Sequence, residues 1–363
     1  MKKLLFALIT IGIGLYSHDS SAQIFKLNVT DYGTSNTTIR GFIDAEILKV
    51  QNDINKDLPG AQPKRLMEGM ADSSIMAGKG IGSDYASNME VFLIGAGVGV
   101  GADLEEDKNT DSDISGVGVA PGLVVGTNLG FLDTTKILGM DTNRLNVYLN
   151  FMSYGHDQSF GDNGSESDAE LDMTAMGVHF RYDWIKGSGN KFLGWGGVKL
   201  HFGYEYNKTE ITFNTTINET VNTTTSTNET INGTITGSPK ATILVNTHSF
   251  PLEISTDVQL LYVLSLYGGL GADLNFGEAK GDGSLNAGES PVTCSGGVAC
   301  GTTVTAQVKP EANIDATGKV NPLSFRGFAG LQVNLPYVRV FGQVDKSLGD
   351  DLIGATAGVR FVY

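Results

Sequence analysis

The sequence predicts an all-β fold: a transmembrane antiparallel up-and-down β-barrel of about ten strands, preceded by a short N-terminal helical segment. Counts of 8–12 strands are compatible with the pattern. Three observations predict it. A secretory signal opens the chain, apolar residues recur with period two from Asn88 onward, and the chain closes on an amphipathic strand that ends in an aromatic residue.

The signal comes first. Lys2 and Lys3 form a positive start, Leu4 to Tyr16 an apolar core, and Ser20-Ser21-Ala22 a small-residue cleavage site, so residues 1–22 read as a signal peptide cut before Gln23. The apolar core is too short to cross about 30 Å of hydrocarbon as a helix. No later run of eighteen apolar residues occurs, so any membrane crossing falls to strands. Glycine supplies 48 of 363 residues, well above the usual share of about 7 % and without a collagen-like period. The formal net charge of −15 excludes nucleic acid as a partner, since an acidic surface does not track a phosphate backbone.

Residues 23–87 differ in pattern from the remainder of the chain. Phe42, Ile43, Ala45, Ile47, Leu48, Val50 and Ile54 are spaced more like a helix than a strand, and Leu66, Met67, Met70, Ile75 and Met76 repeat the pattern over Pro63 to Lys79. This segment reads as periplasmic, as a plug in the lumen, or as a cap on the barrel's lower rim.

Residues 88–363 form the predicted barrel. Leu145, Val147, Leu149 and Phe151 alternate with Asn146, Tyr148 and Asn150, and the same alternation marks Met176–Trp184, Val198–Tyr206, Phe250–Leu260, Leu264–Phe276 and Phe325–Val333. One face of each strand is apolar and the other is polar or glycine, which suits a soluble sandwich as well as a lipid-facing barrel. Three features favour the barrel. Aromatics gather at strand ends, with Trp184 and Trp195 flanking one turn and Tyr204 and Tyr206 closing the next strand. Strands at about 88–103, 116–129, 144–156, 169–185, 194–212, 248–261, 263–278, 322–335, 337–347 and 352–363 leave long connections on one side, above all 213–247 and 279–321, and short ones on the other. Only 130–143 breaks that parity. The C-terminal strand places Thr356, Gly358, Phe361 and Tyr363 in the pattern of an outer-membrane targeting strand. The expected location is therefore the bacterial outer membrane, with surface-exposed loops.

Candidate chemistry is sparse. His179, Arg181, Lys199, His201 and Glu205 share the inner faces of two neighbouring strands, while His156 and His248 fall near strand–loop edges. The inner cluster suits an acid–base site or, as expected here, charge-paired filling of a narrow lumen. No Gly-x-Ser-x-Gly elbow, HExxH or P-loop occurs, and Gly95 to Gly101 lacks the Lys-Ser/Thr of a nucleotide loop. No enzyme activity, cofactor or metal is expected. The acidic stretches Glu105–Asp113 and Asp157–Glu170 read as solvated loops without EF-hand spacing. Cys294 and Cys300 are expected to close a small disulfide loop in an oxidising compartment. Thr209 to Ser238, with Asn-x-Ser/Thr sequons at Asn214, Asn218, Asn222, Asn228 and Asn232, reads as a polar, β-prone external hairpin and a plausible binding surface.

Several motifs resemble one family. Gly82-Ser83-Asp84-Tyr85-Ala86-Ser87-Asn88-Met89, Trp195-Gly196-Gly197-Val198, Pro251-Leu252-Glu253-Ile254-Ser255-Thr256, Leu266 to Gly277 and Phe328-Ala329-Gly330-Leu331-Gln332 together look like the leptospiral surface-adhesin type of outer-membrane protein. The resemblance covers most of 82–363 and weakens in the two longest loops. It implies a surface-exposed barrel that binds host extracellular-matrix proteins such as laminin and fibronectin, and it transfers no site residues. The expected function is an adhesin or interaction protein acting through external loops; the alternative is a passive, porin-like channel for small solutes. The remaining partners expected are outer-membrane lipid and the barrel assembly machinery.

Overall fold

The computed structural model describes residues 25–37, 39–41, 43–45, 47–48, 63–86, 91–104, 115–132, 136–137, 139–162, 165–190, 192–215, 217–224, 230–261, 263–286, 288, 290–296 and 303–363. The expected signal peptide (residues 1–22), the acidic stretch 105–113 and Cys300 lie outside the described residues.

Ten strands close a ring. They are β2 (Phe92–Asp103), β3 (Gly116–Asn128), β6 (Leu145–Asp162), β7 (Ser165–Gly189), β8 (Leu193–Thr215), β10 (Thr230–Leu260), β11 (Leu264–Asn286), β14 (Leu323–Asn334), β15 (Val338–Ser347) and β16 (Leu352–Val362). Each pairs antiparallel with its neighbours in that order, and β16 closes the ring on β2, with Leu352 opposite Asp103 and Val362 opposite Leu93. The protein is an up-and-down barrel at the predicted strand positions.

Burial runs opposite to that of a soluble sandwich. Leu149, Phe151, Leu252, Leu270, Phe325 and Val344 point outward and are 53–61 % exposed, whereas Arg181, Lys199, Arg326 and Arg360 point inward and are 1–2 % exposed. That inversion is stable only where lipid covers the apolar face. At the end with the short turns, Phe131, Trp184, Phe192, Trp195, Tyr337 and Tyr363 stand exposed as an aromatic belt. Short turns mark the periplasmic end of such barrels and longer connections the outer end. The long short-side connection holds a two-residue hairpin, β4 (Lys136–Ile137) with β5 (Met140–Asp141), and two turns of 3-10 helix.

The ring is uneven in height. β14, β15, β16, β2 and β3 have 10–13 residues, about what a crossing needs, but β6, β7, β8, β10 and β11 have 18–31. Several sequence expectations are corrected here. Asp157–Glu170 is not a loop, because β6 and β7 pair through it up to Asp162 and Ser165. Tyr204 and Tyr206 do not close a strand, since β8 runs on to Thr215, and His156 and His248 lie within long strands. The connections 213–247 and 279–321 are mostly strand: they hold the extensions of β8, β10 and β11 together with β9 (Ile217–Thr224), β12 (Ser290–Ser295) and β13 (Val304–Lys319). Their Thr, Val and Ile residues favour extended backbone, and the segments lack the apolar alternation that lipid imposes.

These extra strands join a second antiparallel sheet. The N-terminal β1 (Phe25–Asp31) pairs with β13, β13 with β12, β12 with the first residues of β10, and those with β9. β1 falls in the segment expected to be helical. Beyond it, the described residues between 37 and 48 are helical (α1). A second helix, α2 (Pro63–Gly78), starts with proline at its first position, where the missing N–H costs nothing.

Candidate functional site: a filled lumen

The inner faces of the ring enclose α2 and the turn after it. One side of α2 carries Leu66, Met67, Met70, Ala71 and Ile75, which pack on Ile243, Val245, Ala279, Ala316 and Val320 of the tall wall. The other side is small, and the wall it meets is bare backbone. A Cβ on Gly99 would overlap the Ala77 carbonyl, one on Gly101 the Ser73 carbonyl, and ones on Gly116 and Gly118 the helix backbone at Gly69 and at Ser73–Ser74. On β16, a Cβ at Gly354 would sit 2.7 Å from Met76 Cγ. Gly99 and Gly101 of β2 and Gly116 and Gly118 of β3 thus form a trough for the helix, while Gly95 and Gly97 lie against Arg360 and Phe341, which accounts for the Gly95–Gly101 run without a nucleotide.

Below α2 the chain descends as irregular backbone, residues 79–86. Non-helical backbone at membrane depth must have its polar groups satisfied by protein or by water in a cavity. Six carbonyls of this short stretch are met by barrel side chains. Thr356 Oγ1 donates to Lys79 O (2.6 Å), and Arg360 Nη2 to Gly80 O (3.1 Å) and Ser83 O (2.6 Å). Arg181 Nη1 donates to Asp84 O (2.7 Å), Lys199 Nζ to Tyr85 O (2.7 Å) and Gln259 Nε2 to Ala86 O (3.3 Å).

The side chains of this turn complete a charge network. Lys79 Nζ donates to Glu205 Oε2 (2.7 Å) and Ser249 Oγ (2.8 Å), and lies 3.2 Å from Asp273 Oδ1. An ammonium taken out of water needs such partners, and two carboxylates at contact distance supply them. Arg326 joins three carboxylates: Asp273 (Nε, 3.0 Å), Asp345 (Nη1, 2.6 Å) and Glu253. Tyr85 Oη donates to Glu253 Oε2 (2.8 Å), and its ring lies 4.7 Å from His201, 5.4 Å from Tyr267 and 4.8 Å from Phe328, centroid to centroid. The phenol thus joins the polar network through its tip and the aromatic packing through its ring. Asp84 is fully buried, with Arg360 at 3.6 Å and Arg339 at 3.9 Å.

All five lumen residues picked out from the sequence face this network. Glu205 meets Lys79, with His179 Nε2 3.7 Å away; Arg181 and Lys199 grip the turn, and Lys199 also pairs with Asp257; His201 Nε2 meets Ser255 Oγ at 2.9 Å. Each is buried against protein. Sequence reasoning left out the turn's own Lys79, Asp84 and Tyr85, and did not single out Glu253, Asp273, Arg326, Asp345 and Arg360. Two signals pointed to them: inner-facing charges on strands that otherwise need only small polar residues, and glycines on inner faces where something approaches closely. Of the terminal-strand residues, Thr356 points inward onto Lys79 O, the inward-facing Gly358 makes room for the Phe341 ring, and Phe361 and Tyr363 point outward. Cys294 is buried among Val292, Val304, Ala306 and Val308.

A closed ring with an apolar outer belt and a polar, filled interior defines a bacterial outer-membrane β-barrel. The class has a family within it: the Lsa36-like family model matches residues 22–363, and the chain belongs to that family. No curated protein matches the sequence. Among solved structures, the transport unit of the autotransporter AIDA-I from Escherichia coli is 10 % identical, with 84 % of this chain and 100 % of that chain covered and a TM-score of 0.33. The attachment invasion locus protein Ail of Yersinia pestis, in complex with a heparin analogue, is 14 % identical over 76 % and 100 % of the two chains, TM-score 0.24. The translocator domain of the autotransporter NalP from Neisseria meningitidis is 13 % identical over 76 % and 90 %, TM-score 0.29.

Proposed function

We propose that the protein is an adhesin or interaction protein, a non-conducting barrel that holds its external strands against host extracellular-matrix proteins. The observation that carries this reading is the occupied lumen. α2 lies in a glycine trough and the turn 79–86 is gripped by six hydrogen bonds from five barrel side chains, which leaves the outer end as the part free to act. A porin-like role would need a continuous aqueous path, and the Lys79–Glu205 and Arg326–Glu253–Asp273–Asp345 pairs fill the place where it would run. His179, buried 3.7 Å from Glu205, and His201, bonded to Ser255, sit within this filling, which supports a non-enzymatic role. Family membership supports the surface location and the class of partner.

Binding of the purified full-length protein to immobilised laminin and fibronectin tests the proposal. A variant in which residues 217–237 are replaced by a short turn should lose most of its binding while keeping a folded barrel. Undiminished binding would contradict the assignment to the external strands.

A further inference from the structure

The N-terminal part of the chain and the long hairpins meet in one place. β1 runs antiparallel to β13, with Phe25 opposite Ala312 and Val29 opposite Val308. After it, Gly33 turns with φ +62°, and a Cβ there would overlap the Thr305 carbonyl, so the turn is seated directly on β13. Tyr32 Oη donates to Asp44 Oδ1 (2.6 Å), and Arg40 Nε donates to Thr34 O (2.7 Å) while its guanidinium lies 5.0 Å over the Tyr32 ring. Ile39, Ile43 and Ile47, four residues apart on one side of α1, are buried against Val292, Cys294, Val304, Ala306 and Val308 of β12 and β13. The result is a five-stranded sheet, β1–β13–β12–β10–β9, with α1 on one face and its own apolar core.

The side of the membrane is set by the ring. The sheet grows from β10 before Ser238 and from β13 before Asn313, beyond where those strands pair with β11. β11 runs toward that end away from the short Leu260–Leu264 turn, so the sheet stands at the end opposite the aromatic belt. α2 confirms the direction of travel. Its first turns neighbour Ser115, Gly116 and Gly318 at the long-loop end, its last residues reach Gly99 in mid-wall, and Ala86 reaches Gln259, next to a short turn. β2 then begins at the short-turn end.

We propose that residues 25–48 stand on the outside of the cell, as part of a folded external domain, and that residues 63–86 are the tether that threads the lumen back to the periplasmic start of the barrel. The interaction surface is then a composite of three distant chain segments rather than a set of separate loops. Its use as a binding surface rests on the function proposed above, but its sidedness does not and can be tested without any ligand.

An epitope tag inserted after Ser35, in the exposed turn between β1 and α1, is probed with antibody on intact cells producing the full-length protein. Tags in the β6–β7 turn after Asp162 and in the short-side hairpin after Gly139 serve as outer and inner controls. The expected result is detection after Ser35 on intact cells at the level of the outer control, with the inner control visible only after the outer membrane is permeabilised. Detection after Ser35 only upon permeabilisation overturns the proposal. If the tag prevents assembly, external trypsin on cells producing the untagged protein gives the same reading. Cleavage at exposed Arg40 in intact cells supports the proposal, and cleavage there only in permeabilised cells overturns it. Full-length protein that shows Arg40 outside but binds no matrix protein would sink the adhesin reading and leave this one standing.

Discussion

Lys79→Met tests how the tether is held. Methionine keeps most of the volume and removes the charge. Lys79 is the closest cation to Glu205, at 2.7 Å, and among the described residues its loss leaves that buried carboxylate with His179, at 3.7 Å, as its ionic neighbour. Asp273 suffers less, because Arg326 Nε remains at 3.0 Å. Stripping one partner from a buried pair costs about 3–5 kcal/mol. At about 1.36 kcal/mol per decade, that is a shift of roughly two to four decades in the equilibrium between seated and unseated tether. Hydrogen exchange of the amides in 63–86, measured in detergent micelles, should lose protection by that factor while the β14–β16 amides hold theirs. The double variant Lys79→Met with Glu205→Gln should recover much of the loss, because the orphaned charge is then gone. Protection unchanged within tenfold in the single variant, or no recovery in the double, would refute the assignment of Lys79 as the tether's central ionic contact.

Other perturbations bear on the same arrangement. Gly101→Leu puts a side chain where Ser73 O lies, so α2 must shift; a loss of about 1–3 kcal/mol in urea unfolding is expected, against almost none for Gly342→Ala, whose added Cβ would meet nothing within 4 Å. At the outer rim, Asp72 accepts from Asn321 N at 2.8 Å, and its carboxyl is pushed up to about 7 by burial first and then by Asp103, Asp350 and Glu68. The folded state therefore holds this proton more tightly than the unfolded chain, so the group's stabilisation is full below about pH 4 and is lost as pH rises through about 7. The unfolding midpoint should fall between pH 5 and pH 8, and Asp72→Asn should flatten that slope; an unchanged slope would count against the assignment. The expected Cys294–Cys300 bridge predicts that no thiol reacts with maleimide until the protein is both denatured and reduced, as intact mass would show.

Much of the barrel was legible because lipid imposes a strict rule. An outward residue every second position must be apolar, and Leu252, Ile254, Leu266, Leu270, Phe325 and Leu331 obey it, so strand positions and parity could be read directly. Where the strands rise past the membrane the rule lapses. The stretch Thr209–Ser238 has strand propensity but no alternation, and its first strand partner in β12 lies about sixty residues along the chain, Thr230 opposite Ser295. β1 carries a strand signal of its own, since Phe25, Leu27 and Val29 alternate, but three alternating residues are too few to outweigh the helical spacing of the longer segment around them. The five inner charges His179, Arg181, Lys199, His201 and Glu205 could be placed on one face by parity, but their partners Lys79, Asp84 and Tyr85 come from outside the sheet, and no periodicity links them. The glycines held the missing information. Inner-facing glycine on β2 and β3, where the other strands place charge, marks the wall against which α2 lies.

As proposed, this barrel is closed by its own chain and works from its outer face. Planar-bilayer recording on the purified full-length protein and on a variant lacking residues 63–86 tests it most directly. The full-length protein should insert without steady conductance, and the deletion should give defined single-channel steps. Reproducible pores from the full-length protein would contradict the account and restore the channel.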